Sequence, residues 1–351
     1  MITSNSKILY LEYLRTLCAI AVVMNHVAVV AIHFFKDNAQ QTDLFIYNCF
    51  PQWSHFAVPV FLMISGYLLL NPEKSIDYKK AIGKYAKRMA FVLLLIGSIY
   101  AYMELFFASR SFSLLDIGKA VYLTLIGKTW DHMWYLYTLI GIYLVLPVLK
   151  PMYQGLPTRT IDCFLIILFL FFSILPIIKR ATGFSIGIPL PVNSIFLFYF
   201  LLGGRLRTVN SMAWMGKTPV VMILMLLPLF FTYCNYMLNF HILEVMSGYT
   251  SPIIALLALS VFTLFKNNES LCKKYVDSIK NGDKIVTHIA DNSFGIYIFH
   301  MLWINILYKV VGINPLEYST LVLIPINLLV LIASDLTTMI YKKVPIIGKY
   351  I

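Results

Sequence analysis

Apolar segments close to twenty residues long recur from one end of this chain to the other. A bilayer core of ~30 Å needs about 20 such residues to be crossed as a helix, and lipid offers nothing to an unpaired backbone amide. Repetition of that one unit leaves little choice of architecture. The chain of 351 residues is 60% hydrophobic and 13% charged, about half the roughly 25% of soluble domains, and its mean hydropathy is +0.78. No polar stretch is long enough to hold a water-soluble domain. The reading is an all-α, polytopic integral membrane protein forming a single transmembrane domain over residues 1–351.

About ten spans are expected, over 8–31, 54–70, 86–108, 130–149, 161–178, 194–208, 218–237, 250–267, 289–309 and 319–341. The second and sixth are short, and are expected to tilt, break or be backed by neighbouring helices rather than lipid. With the amino terminus in the cytoplasm and the spans alternating, 20 of the 28 Lys and Arg residues fall in inside segments and seven in outside segments. Arg15 lies within a span. That bias obeys the positive-inside rule and predicts both termini cytoplasmic. It also gives the basic excess a membrane explanation, so no nucleic-acid partner is expected. The amino terminus lacks the small-residue cleavage site of a secretory signal, so the first helix is expected to be retained. Five scattered cysteines suggest neither a disulfide framework nor a zinc site, and no metal is expected.

The first span, "YLEYLRTLCAIAVVMNHVAVV", carries groups that lipid disfavours: Glu12, Arg15, Asn25 and His26. Eleven residues at 100° each make three turns plus roughly 20°, so Arg15 and His26 share one helix face about 16 Å apart. Glu12 lies three residues before Arg15 and can pair with it. Arg15 admits a snorkelling role and His26 a helix-bridging one. Ionisable groups within a membrane more often face a cavity or a pathway. Both readings stay open on the residues alone.

Other segments add polar groups. "VPVFLMISGYLLL" puts Ser65 and Gly66 in the second span, where small residues usually mark close packing. Lys84, Lys87 and Arg88 open the third span as inside anchors, or as a grip for an anionic cofactor. Trp130, Trp134, Tyr135 and Tyr137 read as an aromatic belt, with His132 solvated. "DNSFGIYIFHMLW" puts Ser293, Tyr297 and His300 on one face of a late helix. The sequence has no P-loop, G-x-G-x-x-G, H-E-x-x-H or G-x-S-x-G motif, and no channel-filter motif.

Taken in order, these stretches resemble acyltransferase family 3, integral membrane proteins that acylate sugars at bacterial surfaces. Glu12, Arg15 and His26 match its acidic residue, Arg, ten residues, His signature, with glutamate in place of the usual aspartate. "VPVFLMISGYLL" is similar to its second-span motif, and Lys84, Lys87 and Arg88 to its basic motif. "HMWYLYTLIGIYLVLP" and "SFGIYIFH" look like its later blocks. The resemblance covers nearly the whole chain and is nearest to the small members that O-acetylate polysaccharide and lack an appended soluble domain.

The resemblance implies an O-acetyltransferase of the bacterial inner membrane. It would move acetyl from cytoplasmic acetyl-CoA, with no permanently bound cofactor, to a hydroxyl of a cell-surface polysaccharide or lipid-linked saccharide. His26 would be general base, Arg15 the donor-orienting cation with Glu12 fixing its rotamer, and Lys84, Lys87 and Arg88 a wider phosphate cradle. Ser65, Trp134, Tyr297 and His300 are candidate substrate-site residues. A covalent acetyl-enzyme on His26 or Ser65 is the alternative route. The competing class is an exporter or flippase for the same kind of glycan.

Overall fold

The computed structural model describes residues 8–190, 192, 194–209, 212–238, 246, 248–345 and 347–351. Lys7, which belongs to the inside charge count, lies outside the described residues. Among those described the chain is helical, and no strand occurs.

In chain order the helices are α1 (Leu9–Phe35), α2 (Gln41–Ser54), α3 (Ala57–Leu69), α4 (Tyr78–Ser109), α5 (Leu115–Leu125), α6 (Asp131–Gly155) and α7 (Thr158–Thr182). They continue as α8 (Ile195–Arg205), α9 (Thr218–Met237), α10 (Pro252–Asn267), α11 (Glu269–Ser278), α12 (Gly282–Val310) and α13 (Thr320–Lys343). Local chemistry marks several starts. Asp77 Oδ1 accepts from the Lys80 amide at 2.8 Å ahead of α4, and Ser251 Oγ accepts from the Ile253 amide ahead of α10, where Pro252 occupies the first turn. Both satisfy an amide that a helix start leaves without an intrahelical partner. Within α4 the hydrogen bonds loosen to π turns at Ala81–Ala86 and Leu93–Gly97.

Every expected span meets a helix, but among the described residues seven helices are long and apolar enough to cross a bilayer: α1, α4, α6, α7, α9, α12 and α13. The other three expected spans are the short helices α3, α8 and α10. At 13 residues, α3 rises only about 20 Å. The helices α3 and α8 cross at very close range. A Cβ added to Gly66 would overlap the Phe200 carbonyl, and one added to Gly203 would overlap the Met63 carbonyl. Two backbones that close need glycine on both sides. Both helices are largely buried, so protein rather than lipid surrounds them.

The chain divides into two compact units. The first comprises the residues up to Asn71 together with Pro157–Thr337, and the second comprises Pro72–Leu156 together with Thr338–Ile351. The core of the first unit joins α1 to α12 and α13 through Val23, Val27, Ala31, Ile296, Ile304 and Val330. Tyr47 fills it from α2, and its hydroxyl donates to the Pro315 carbonyl at 2.9 Å. In the second unit Tyr100 of α4 stacks on Trp130 with centroids 4.0 Å apart. The Trp130 Nε1–H donates to Glu104 Oε1 at 2.8 Å. This corrects the sequence reading of that region: Trp130 and His132 are buried, at 8% and 2% exposure, so the one is not a belt residue and the other is not solvated.

Candidate active site

The first helix is pinned to α12 by bonds at both ends of its polar face. Thr16 Oγ1 donates to the Val286 carbonyl at 2.9 Å, and the Tyr308 hydroxyl donates to the Val27 carbonyl at 3.0 Å. Between those points the two helices bring His26 and His300 together, with ring centroids 4.8 Å apart and planes tilted by 58°. His26 is half-buried and His300 fully buried. Tyr297 sits one turn before His300, its ring centroid 6.0 Å from the imidazole.

Both imidazoles are oriented by their own helices. His26 Nδ1 lies 2.9 Å from the Val22 carbonyl, and His300 Nδ1 lies 3.2 Å from the Ile296 carbonyl. A carbonyl only accepts, so Nδ1 carries the proton in each ring, and in the neutral tautomer the basic lone pair is on Nε2. The His26 ring is thus held as a base whose basic nitrogen is turned away from its own helix backbone. Val23 and Val27, its neighbours on α1, are buried in the core that joins α1 to α12.

At the amino-terminal end of the same face, Arg15 Nη1 donates to Glu12 Oε1 at 2.7 Å. The glutamate side chain is 4% exposed and the arginine 28%. The i, i+3 pairing read from the sequence is present, and α1 runs without a break from Arg15 to His26, which preserves the roughly 16 Å offset along one face. A buried carboxylate held against a partly exposed guanidinium fixes the arginine's direction while leaving its outer edge toward solvent.

Nearby on α1, the Tyr10 amide donates to Glu269 Oε2 at 3.3 Å. The Tyr10 ring packs edge-on against Tyr67 and Phe262, with centroids 6.1 Å apart in each pair. The Arg207 guanidinium lies over the Tyr67 ring at 5.3 Å. Arg207 is a second cation at this end of the unit that motif spacing does not disclose. Its partner Tyr67 lies in the "VPVFLMISGYLL" stretch of the second expected span.

The remaining candidates divide. Ser65 donates its hydroxyl to the Phe61 carbonyl at 3.0 Å, one turn back on α3. That is a helix-backbone bond and not the partnership with a base that activates a nucleophile. Lys84, Lys87, Arg88 and Trp134 belong to the second unit. Lys84 and Lys87 are exposed and Trp134 is half-buried. Arg88 is engaged: its Nε donates to the Tyr350 carbonyl and its Nη2 to the Ile351 carbonyl, both at 2.9 Å. Phe91 stacks on Tyr350 at 4.2 Å beside it.

Two further groups escape motif reading. His55, in the turn between α2 and α3, lies within electrostatic range of His26, and its ring centroid is 5.6 Å from that of Tyr249. Burial pushes the Tyr249 phenol up, so this neighbour stays neutral. The sequence signal was a histidine at the lip of a span, "QWSHFAVP". In the other case Asp335 of α13 accepts from Asn292 Nδ2 at 2.6 Å and lies 2.8 Å from His288 Nε2, joining α12 to α13. A carboxylate inside an expected span is a recognisable signal by itself. Among the described residues no cluster of His, Cys, Asp or Glu has the geometry to hold a metal ion.

No curated protein and no solved structure matches the chain. A family model described as an acyltransferase domain matches residues 8–339. That match takes in α1 with its Glu12–Arg15 pair, the His26–His300 pair and nearly all of the sequence between and beyond them, and the chain belongs to acyltransferase family 3.

Proposed function

We propose that this membrane acyltransferase moves an acetyl group from cytoplasmic acetyl-CoA to a hydroxyl of a cell-surface polysaccharide or its lipid-linked precursor, in the inner membrane of a bacterium. The observation that carries the proposal is the His26 imidazole, its Nδ1–H tied to Val22 and its ring packed beside His300. A sugar hydroxyl is a poor nucleophile at neutral pH. A histidine with an ordinary pKa near 6.5 is well matched to removing its proton.

In the proposed reaction His26 Nε2 takes the hydroxyl proton as the sugar oxygen attacks the thioester carbonyl. The tetrahedral intermediate collapses with loss of the CoA thiolate, and the imidazolium returns its proton to that sulfur. Sugar ester and CoA thiol are the products, and the imidazole is regenerated. His300, packed against the His26 ring, keeps Nε2 oriented toward the acceptor hydroxyl, and Tyr297 lines the approach. Arg15, directed by Glu12, meets the donor at the amino-terminal end of the face. The axial offset of about 16 Å suits an extended donor that reaches from Arg15 toward His26. Lys84 and Lys87 are exposed cations of the second unit. The bonds that Arg88 makes to Tyr350 and Ile351 favour a structural part for it over direct donor contact.

Direct transfer is favoured over a seryl intermediate because the Ser65 hydroxyl is turned onto its own helix. Acyltransferase membership favours transfer over glycan export. The test is to incubate membranes containing the protein with labelled acetyl-CoA and extracted surface glycan. Alkali-labile label on the glycan supports the proposal. Glycan displaced across the bilayer without acquiring label contradicts it and favours the exporter.

A further inference from the structure

A groove in the first unit lies apart from the histidine face. On α7, Asp162, Leu165, Ile166 and Phe169 follow the i, i+3, i+4, i+7 spacing of one helix face. With Leu202 and Arg205 of α8 and Leu256 of α10 among its other walls, this stripe lines a cavity of about 770 Å³, counted with its open side. The walls are apolar except at one end. There the Arg205 Nε donates to Asp162 Oδ1 at 2.6 Å and its Nη2 to Asp162 Oδ2 at 2.9 Å. The Arg205 side chain is 14% exposed and that of Asp162 41%.

The dimensions are those of one leaflet. From Asp162 to Phe169 is about 10 Å of helix rise, and half of a ~30 Å hydrocarbon core is about 15 Å. Ile166 and Leu256 are exposed on the open side, where a water-filled groove would be unfavourable. The charged end is the end of the unit that holds Arg15, because Lys266 Nζ ties the Leu206 and Val209 carbonyls to α10 and the next helix, α11, supplies Glu269 to the Tyr10 amide. In the charge-based orientation that is the cytoplasmic leaflet.

We propose that this groove is a binding site for a phospholipid of that leaflet with an amine-bearing, zwitterionic headgroup. One acyl chain lies along Ile166, Phe169, Leu202 and Leu256. The phosphate lies against the Arg205 guanidinium, with exposed Arg159 one turn further out on the same face of α7. The headgroup ammonium meets the outer edge of the Asp162 carboxylate. Complementarity of charge selects this occupant. A headgroup of net negative charge would meet the Asp162 carboxylate unfavourably, whereas a phosphate and an amine side by side match a guanidinium and a carboxylate side by side. The site does not depend on the acyl-transfer proposal, since it lies on the other helices of the unit and is tested without activity.

The experiment is native mass spectrometry of the purified full chain, stripped of lipid and titrated with phosphatidylethanolamine or phosphatidylglycerol of identical acyl chains. The wild type is expected to take up one phosphatidylethanolamine about fivefold more tightly than phosphatidylglycerol, as one added ion pair allows. Asp162→Asn should erase that preference. Ile166→Trp, which fills the groove and leaves the ion pair intact, should weaken binding of both lipids and keeps the test decisive if Asp162→Asn accumulates poorly. A wild-type preference for phosphatidylglycerol, uptake unchanged in Ile166→Trp, or a lipid-linked saccharide as the retained molecule would each overturn the proposal.

Discussion

The second unit and the α1 face of the first unit use their polar side chains in different ways. In the second unit Arg88 holds the Tyr350 and Ile351 carbonyls, Trp130 donates to Glu104, Thr129 donates to the Gly97 carbonyl, and Lys150 donates to the Lys74 carbonyl. Each of these bonds ties one segment of the unit to another. In the first unit the polar face of α1 is organised differently. The backbone bond of His26 uses Nδ1 and orients the ring, and the Glu12 carboxylate directs Arg15. The first unit also holds itself together with polar groups, as Thr16, Tyr308 and Asp335 show, but on the α1 face a bond at one atom of a side chain presents another. The difference shows why a count of intramembrane polar residues does not locate chemistry. The atom that bonds to the backbone decides.

That contrast can be broken by substitution. The largest expected effect is at Gly66→Leu. The added side chain meets the Phe200 carbonyl, and overpacking costs from about 1 to 3 kcal/mol or more. The backbone contact puts this case at the upper end, so folded protein should be lost from the membrane by size-exclusion profile. Next is His300→Gln. The variant should accumulate normally while the turnover number for acyl transfer falls by about a hundredfold, as a misplaced base implies, with the KM for donor little changed. A rise in donor KM alone would move His300 from the acceptor side to the donor side. Arg15→Lys keeps the charge but loses the planar fork. It should raise the KM for acetyl-CoA about tenfold, the 1.4 kcal/mol equivalent of a charged hydrogen bond.

The second unit supplies the opposing case. Arg88→Gln removes bonds from a charged donor to two carbonyls, each worth about 1.5–3 kcal/mol at most. It should lower the melting temperature while leaving the donor KM near that of the wild type. If instead the melting temperature holds and the KM rises, Arg88 belongs with the donor contacts and the contrast between the units fails. The smallest effect is expected at Ser65→Ala, with turnover within about twofold of the wild type, since the Ser65 hydroxyl is turned onto the Phe61 carbonyl of its own helix. Loss of turnover in that variant would favour the seryl intermediate.

Much of this was legible in the sequence because it rests on periodicity. Helical spacing alone put Arg15 and His26 on one face and paired Glu12 with Arg15, and apolar length alone located a helix at each expected span, seven of them long enough to cross a bilayer. What the sequence did not disclose comes from contacts between distant segments. His26 and His300 are 274 positions apart, and no local pattern says that α1 and α12 are neighbours. The short spans α3 and α8 were recognisable as short, but their glycine-to-backbone crossing required the fold. Trp130 and His132 were misread because aromatic residues at a span end look alike whether they face headgroups or stack on Tyr100. The bonds of Arg88 to Tyr350 and Ile351 are hidden for the same reason as the histidine pair, since they join positions 262 and 263 apart.

The central claim is that His26 is the base of acyl transfer, and one measurement bears on it most directly. Membranes with equal amounts of wild-type protein and the His26→Gln variant would be incubated with labelled acetyl-CoA and extracted glycan, and alkali-labile label on the glycan counted. Glutamine keeps a hydrogen-bonding side chain of similar reach but cannot take the proton, so label should fall by a factor of about 10² to 10⁴. Transfer by His26→Gln at a rate near that of the wild type would contradict the account.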